Sequence, residues 1–172
     1  MADPTAVLRS RLQEVALPWV FAVSGSAFAL FFLQTGLDLS RAHRASGAKV
    51  LLLTAEGALC GTVGVVAIAW VAWVICGMFG GARPLPWVVR AFALGYSPAL
   101  VYSALGLVAN VALGWNTAIA FGVTGVLWAL GPMTAAIKLM MAQRLVVAAT
   151  IVTLCGGALL FTWGLLGTGS VG

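Results

Sequence analysis

The sequence predicts an all-α fold: a polytopic membrane helical bundle with five transmembrane helices and an N-terminal interfacial amphipathic helix. Three observations carry this expectation. The 172 residues are 62% hydrophobic, with a mean hydropathy of +1.09. Only 8% are charged, against about 25% in a soluble domain. The apolar residues also come in long continuous blocks rather than in alternating segments of about ten residues, and only helices carry such blocks across lipid with the backbone satisfied. The chain, 1–172, is therefore treated as a single membrane domain.

Asp3 and Pro4 supply a helix start, and Leu8, Leu12 and Val15 then recur on one face while Arg9, Gln13 and Glu14 lie elsewhere. This predicts an interfacial helix over 4–16, its arginines snorkelling to headgroups, with Pro18 marking the turn into the membrane. Leu17 to Leu37 is uncharged and long enough for one crossing. It is too long for a signal-peptide core and reads as a retained first span over 17–37. Asp38 to Lys49 is the most polar stretch and is expected to be a loop.

The second span, 50–79, has Glu56 as its only charge. A helix of that length reaches ~45 Å against a hydrocarbon thickness of ~30 Å, so its first turns are expected in the interface and Glu56 at headgroup depth. Gly80 to Arg90, "GGARPLPWVVR", breaks the helix with paired glycines and two prolines and is expected to be a loop with a membrane-hugging segment, Trp87 lying at the interface. Ala91 to Ile137 has no charged residue. As one helix it would reach ~70 Å, so it must turn back on itself, and Leu113 to Asn116 is the turn that divides it into spans 91–113 and 117–137. Lys138 to Arg144 is a tight connection, and 145–166 makes the fifth span.

Lysine and arginine set the topology of such a bundle. With the N-terminus inside, Arg9, Arg11, Arg83, Arg90, Lys138 and Arg144 are cytoplasmic, while Arg41, Arg44 and Lys49 are outside. The excess favours a cytoplasmic N-terminus. The net charge of +5 is then explained by topology and anionic lipid headgroups rather than by nucleic acid, which is not expected as a partner.

The stretch "RAFALGYSPAL", Arg90 to Leu100, sets Gly95, Tyr96, Ser97 and Pro98 within apolar sequence. Proline removes a backbone donor and crowds the carbonyl of Leu94, so the third span is expected to kink or begin anew here. A glycine pair ending the second span (Gly80, Gly81), a short basic segment, and then "GYSP" leading into an uncharged hairpin resembles the Yip1 family of five-span membrane proteins, over roughly Val50 to Leu166. The resemblance implies Gly80, Gly81, Gly95, Tyr96 and Pro98 as motif positions and a role in membrane organisation or traffic. Eukaryotic members act in part through a long cytoplasmic N-terminal region. Fewer than twenty residues precede the first span here, which is more similar to the prokaryotic members and implies a bacterial inner membrane rather than a GTPase partner.

The sequence offers little chemistry. His43, the single histidine, sits in a polar stretch, so neither paired-histidine haem ligation nor a histidine metal cluster can be assembled from it. Asp3, Glu14, Asp38 and Glu56 are the acidic residues, and no intramembrane carboxylate pair is available for acid–base work. Cys60, Cys76 and Cys155 fall in apolar blocks as small core residues. No catalytic residue, metal site or cofactor is expected. Glu56 stands as a candidate intramembrane polar site, with an interfacial anchor as the plainer reading. Gly57 with Gly61, and Gly77 with Gly81, have the four-residue spacing that lets helices touch closely, and packing inside this bundle is preferred over docking of a partner. The expected protein is non-enzymatic and acts through membrane lipids and through other membrane proteins or itself. The alternatives are an accessory subunit of a larger complex and a small transporter or channel.

Overall fold

A computed structural model describes residues 12–81, 83–141 and 145–169, with side chains through Ala158 in the last segment. The regular structure of these residues is helical. After a 3₁₀ turn at Leu12–Glu14, α1 spans Leu17–Arg41 and α2 spans Gly47–Met78, with a π-helical turn at Cys60–Gly64. The third long helical stretch is built from α3 (Leu85–Gly95) and α4 (Ser97–Leu113), α5 spans Ala118–Met140 and opens with a π-helical turn at Ala118–Val123, and α6 spans Leu145–Gly169.

Among the described residues four helical stretches are long and apolar enough to cross a membrane: Leu17–Arg41, Gly47–Met78, Leu85–Leu113 and Ala118–Met140. The expected interfacial helix over 4–16 falls mostly outside the described residues, which show only the turn at Leu12–Glu14.

Two expected loops are shorter than the sequence implied. Between α1 and α2 only Ala42–Ser46 is non-helical, not Asp38 to Lys49. Polar residues do not end a helix when a neighbour takes up their side chains, and Asp38 and Arg41 stay on the last turn of α1. His43 has a positive φ of 58° in this loop, and Ser46 caps α2 by accepting from the Lys49 amide at 3.3 Å. The loop expected over Gly80 to Arg90 is the second of these. α3 begins at Leu85, with Pro86 in its first turn where proline fits, and its Trp87 is only 2% exposed. Trp87 packs in the core with Arg83 stacked over its ring at 5.4 Å.

Gly80 and Gly81 form the C-terminal cap of α2. Gly80 takes a φ of +83° and donates to the Gly77 carbonyl at 3.1 Å, and Gly81 donates to the Cys76 carbonyl at 2.7 Å, the paired bonds of a Schellman ending. At "GYSP" the helix ends at Gly95 and restarts at Ser97, with Tyr96 between them. Tyr96 is buried with its ring edge-on to Phe28 at 4.9 Å, while Ser97 is exposed. Gly95 brings α3 close to α5, where a Cβ would stand 3.1 Å from Met133.

α1 is the axis of the bundle, in contact with α2, α3, α4 and the opening turn of α5. Its closest partner is α2, and the closeness comes from glycine on both helices. A Cβ on Gly57 would stand 2.6 Å from the Phe28 carbonyl oxygen, one on Gly61 would strike the Ser24 carbonyl oxygen, and Gly36 lies against Val50. The first glycine pair is therefore internal packing. Gly77 differs: among the described residues nothing lies within 4 Å of the place its Cβ would take, so they give it no packing role. It stands on the last turn of α2, beyond the helix crossing.

Gly61→Val should force α1 and α2 apart and cost about 1–3 kcal/mol. Gly77→Ala should stay within about 0.5 kcal/mol of the parent. Thermal unfolding in detergent micelles, followed by circular dichroism, checks both.

Candidate functional site

The buried side chains of Gln34, Asn110 and Thr117 gather toward one end of the bundle, where α1 finishes and α4 turns into α5. Gly114 makes that turn with a φ of +68°. The turn leaves the last carbonyls of α4 and the first amides of α5 without intrahelical partners. Side chains from α1 supply them. Arg41 donates to the Trp115 carbonyl at 3.0 Å and to the Asn110 carbonyl at 2.6 Å, and also reaches Asn110 Oδ1. Asp38 Oδ2 accepts from the Ala118 amide at 3.2 Å. A cation thus meets the negative end of α4, and a carboxylate meets the positive end of α5.

The two charges also face each other, with Arg41 Nη1 at 3.5 Å from Asp38 Oδ1. Below them Asn110 donates to Asp38 Oδ1 at 2.6 Å and to Thr117 Oγ1 at 3.1 Å, and Thr117 donates to Gln34 Oε1 at 2.9 Å. Gln34 Nε2 completes the column on the Ser103 carbonyl at 2.9 Å. Gln34, Asn110 and Thr117 are each no more than 1% exposed. Gln34 lies seven residues before Arg41, so the chain of bonds descends ~10 Å into the bundle. Gly106 makes room for it, since a Cβ there would strike Gln34 Oε1.

An open cleft of about 280 Å³, lined by Thr35, Asp38, Leu39, Asn116, Ala118 and Ile119, borders the upper end of this column. Both Asp38 oxygens are already engaged. What the arrangement does chemically is fix α1 to the α4–α5 hairpin.

The residues singled out from sequence are not brought together. Gly80 and Gly81 cap α2 at the opposite end of the bundle, and Gly95, Tyr96, Ser97 and Pro98 form the α3–α4 break. Gly57 and Gly61 lie in the α1–α2 seam, and Gly77 is open. Glu56 sits half-buried on the outer flank of α2, with no hydrogen bond or ion pair to the described residues. Among the described residues no three His, Cys, Asp or Glu side chains cluster as metal ligands, and Cys60, Cys76 and Cys155 are free thiols.

The Asp38 cluster escapes a reading built on ionisable residues, because amides and a hydroxyl make up its buried part. The available signal was the rarity of such groups in these blocks: Gln34 and Asn110 are amides within otherwise apolar stretches, and buried amides need partners. Comparisons with family models, with curated proteins and with solved structures found no match.

Asp38→Ala should strand Arg41 and Asn110 and lower stability by about 1–3 kcal/mol. In a double-mutant cycle with Asn110→Ala, the two losses should fall short of additivity by about 1 kcal/mol. Additive losses in detergent unfolding would show the two residues to be independent.

Proposed function

We propose that the chain is a five-span integral membrane protein of Yip1-like organisation, with its N-terminus in the cytoplasm of a bacterial inner membrane. It acts by contact within the bilayer rather than by catalysis. The observation that carries this reading is the outer surface of the apolar helices. Leu51, Met78, Val111, Ile119 and Val146 are 69–79% exposed, and Trp19, Trp70, Trp115 and Trp128 also stand more than half exposed. In water such a surface is an aggregation liability, and in lipid it is the expected contact face. α6 is the fifth span on this reading, completing an odd number of crossings.

Alternation of the helices then sets the ends. The Ala42–Ser46 loop and the Gly114–Thr117 turn fall on one side, and the α2–α3 and α5–α6 connections fall on the other with the N-terminus. A second reading, an accessory subunit of a larger membrane complex, is favoured by Glu56, whose carboxylate is left unmatched by the described residues on an outer face.

Cysteine in place of His43 or Asn116, in a background lacking the three native thiols, should react with a membrane-impermeant maleimide from the periplasmic side. Cysteine at Gly80 should react only after the membrane is opened. The opposite pattern would invert the topology, and release of the protein by alkaline carbonate would remove the membrane reading. Extraction at low detergent with mass spectrometry of the intact particle separates the two functions. A stoichiometric set of other subunits supports the accessory role, and the chain alone with lipid supports an autonomous one.

A further inference from the structure

We infer that Glu56 is a mid-bilayer docking point for a transmembrane helix of another protein, one that presents a lysine, arginine or histidine at the same depth. This rests on the membrane reading above and adds a partner of stated chemistry to it.

The depth follows from the α1–α2 register. Gly36 packs on Val50, Gly57 on Phe28 and Phe32, and Gly61 on Ser24 and Gly25, so Glu56 is level with about Leu30 of α1. If Glu56 were held at headgroup level, as the sequence suggested, only Leu17 to Leu30 of α1 would remain inside the bilayer. That is ~21 Å of helix against ~30 Å of hydrocarbon. With the charged Asp38–Arg41 turn at the headgroups instead, α1 spans and Glu56 falls ~15 Å below them, near the midplane.

The surface around it has the form of a helix contact. Leu52, Glu56, Leu59 and Val63 follow one another at spacings of four, three and four, the seam spacing of paired helices. Leu52, Leu59 and Val63 are 59–65% exposed. The stripe runs into an apolar groove of about 280 Å³ between α1 and the π-helical turn of α2, lined by Phe21, Thr62, Val63 and Val66. Lipid alone satisfies the leucines and the valine but not a carboxylate, since intramembrane ionisable groups pair or face water.

Charge complementarity selects the occupant. The described basic residues Arg41, Arg44, Lys49, Arg83 and Lys138 lie in loops or near helix ends, and Arg90 lies six residues into the Leu85–Leu113 stretch, where it donates to the Val15 carbonyl before the start of α1. The described residues of a second copy in the same orientation therefore offer no cation at the level of Glu56, whereas a partner helix with one at mid-depth does.

The test uses the full chain, donor-labelled and reconstituted in phosphatidylcholine vesicles, with acceptor-labelled Leu/Ala transmembrane peptides carrying a single central Lys, Leu or Glu. Energy transfer should report association of the Lys peptide about tenfold tighter than that of the Leu peptide, a preference that Glu56→Gln reduces and Glu56→Leu abolishes. Equal association of all three peptides, or a Lys preference that survives Glu56→Leu, would overturn the inference. So would a Glu56-dependent association between differently labelled copies of the chain in the absence of peptide, or passage of protons across the vesicle wall that Glu56→Leu stops. Circular dichroism of each variant controls for folding. A chain that does not insert into the vesicles at all refutes the membrane reading itself, and the carbonate extraction identifies that failure separately.

Discussion

Everything in this bundle is hung from the junction where α1 meets the α4–α5 turn. A helical hairpin exposes the carbonyls of one helix end and the amides of the next, and in a low-dielectric setting each unpaired group is costly. Here one turn of a third helix answers both. Arg41 takes the carbonyls of Asn110 and Trp115, Asp38 takes the amide of Ala118, and the two side chains neutralise each other. The pairing works only if α1 has one height and one rotation relative to α4 and α5. The buried links through Asn110, Thr117 and Gln34 extend the same demand a further ~10 Å along the helix.

With α1 held, α2 has little freedom. The glycines at 25, 36, 57 and 61 bring the two helices to backbone contact, and a seam of this kind admits few registers because a shift of one turn would drive Phe28 or Phe32 into the facing backbone. The π-helical turn at Cys60–Gly64 begins within that seam. It adds a residue to the turn, which rotates the remainder of α2 and lets Ala69, Ala72 and Cys76 face the core. The helix thus serves two neighbours in succession, α1 along its first half and α3 along its second.

Much of this architecture was legible in the sequence. The apolar blocks fixed the helical class, the length of Ala91 to Ile137 demanded a turn, and Leu113–Asn116 was the place for it. Gly80 and Gly81 ended α2, and the helix breaks at Tyr96 within "GYSP". What could not be read was pairing across the bundle. Asp38 and Arg41 look like loop residues until their partners 72 and 69 positions away are known. Trp87 looks interfacial beside Arg83 and Arg90, yet the helix it starts turns its ring inward. Gly77 has the spacing of a packing glycine but no neighbour among the described residues. In each case local composition is the same for the two outcomes, and tertiary contact decides. The resemblance to the Yip1 family rests on local motifs of this kind, and it remains a proposal for the same reason.

The two acidic residues that matter illustrate one rule with opposite results. Asp38 and Glu56 carry the same functional group, and desolvation penalises both unless they find partners. Asp38 is matched on both oxygens from within the chain, so its role is complete once the bundle has formed. Glu56 is held level with about Leu30 of α1 by the glycine seam, flanked by exposed leucines, and unmatched by any described side chain. Because the glycine seam ties α2 to α1, and Asp38 ties α1 to the α4–α5 turn, Glu56 cannot shift along the bundle without dragging α1 out of register. On the membrane reading proposed above, a carboxylate that finds no partner among the described residues would have its requirement met from outside them, and that is the physical ground for the partner helix inferred for it.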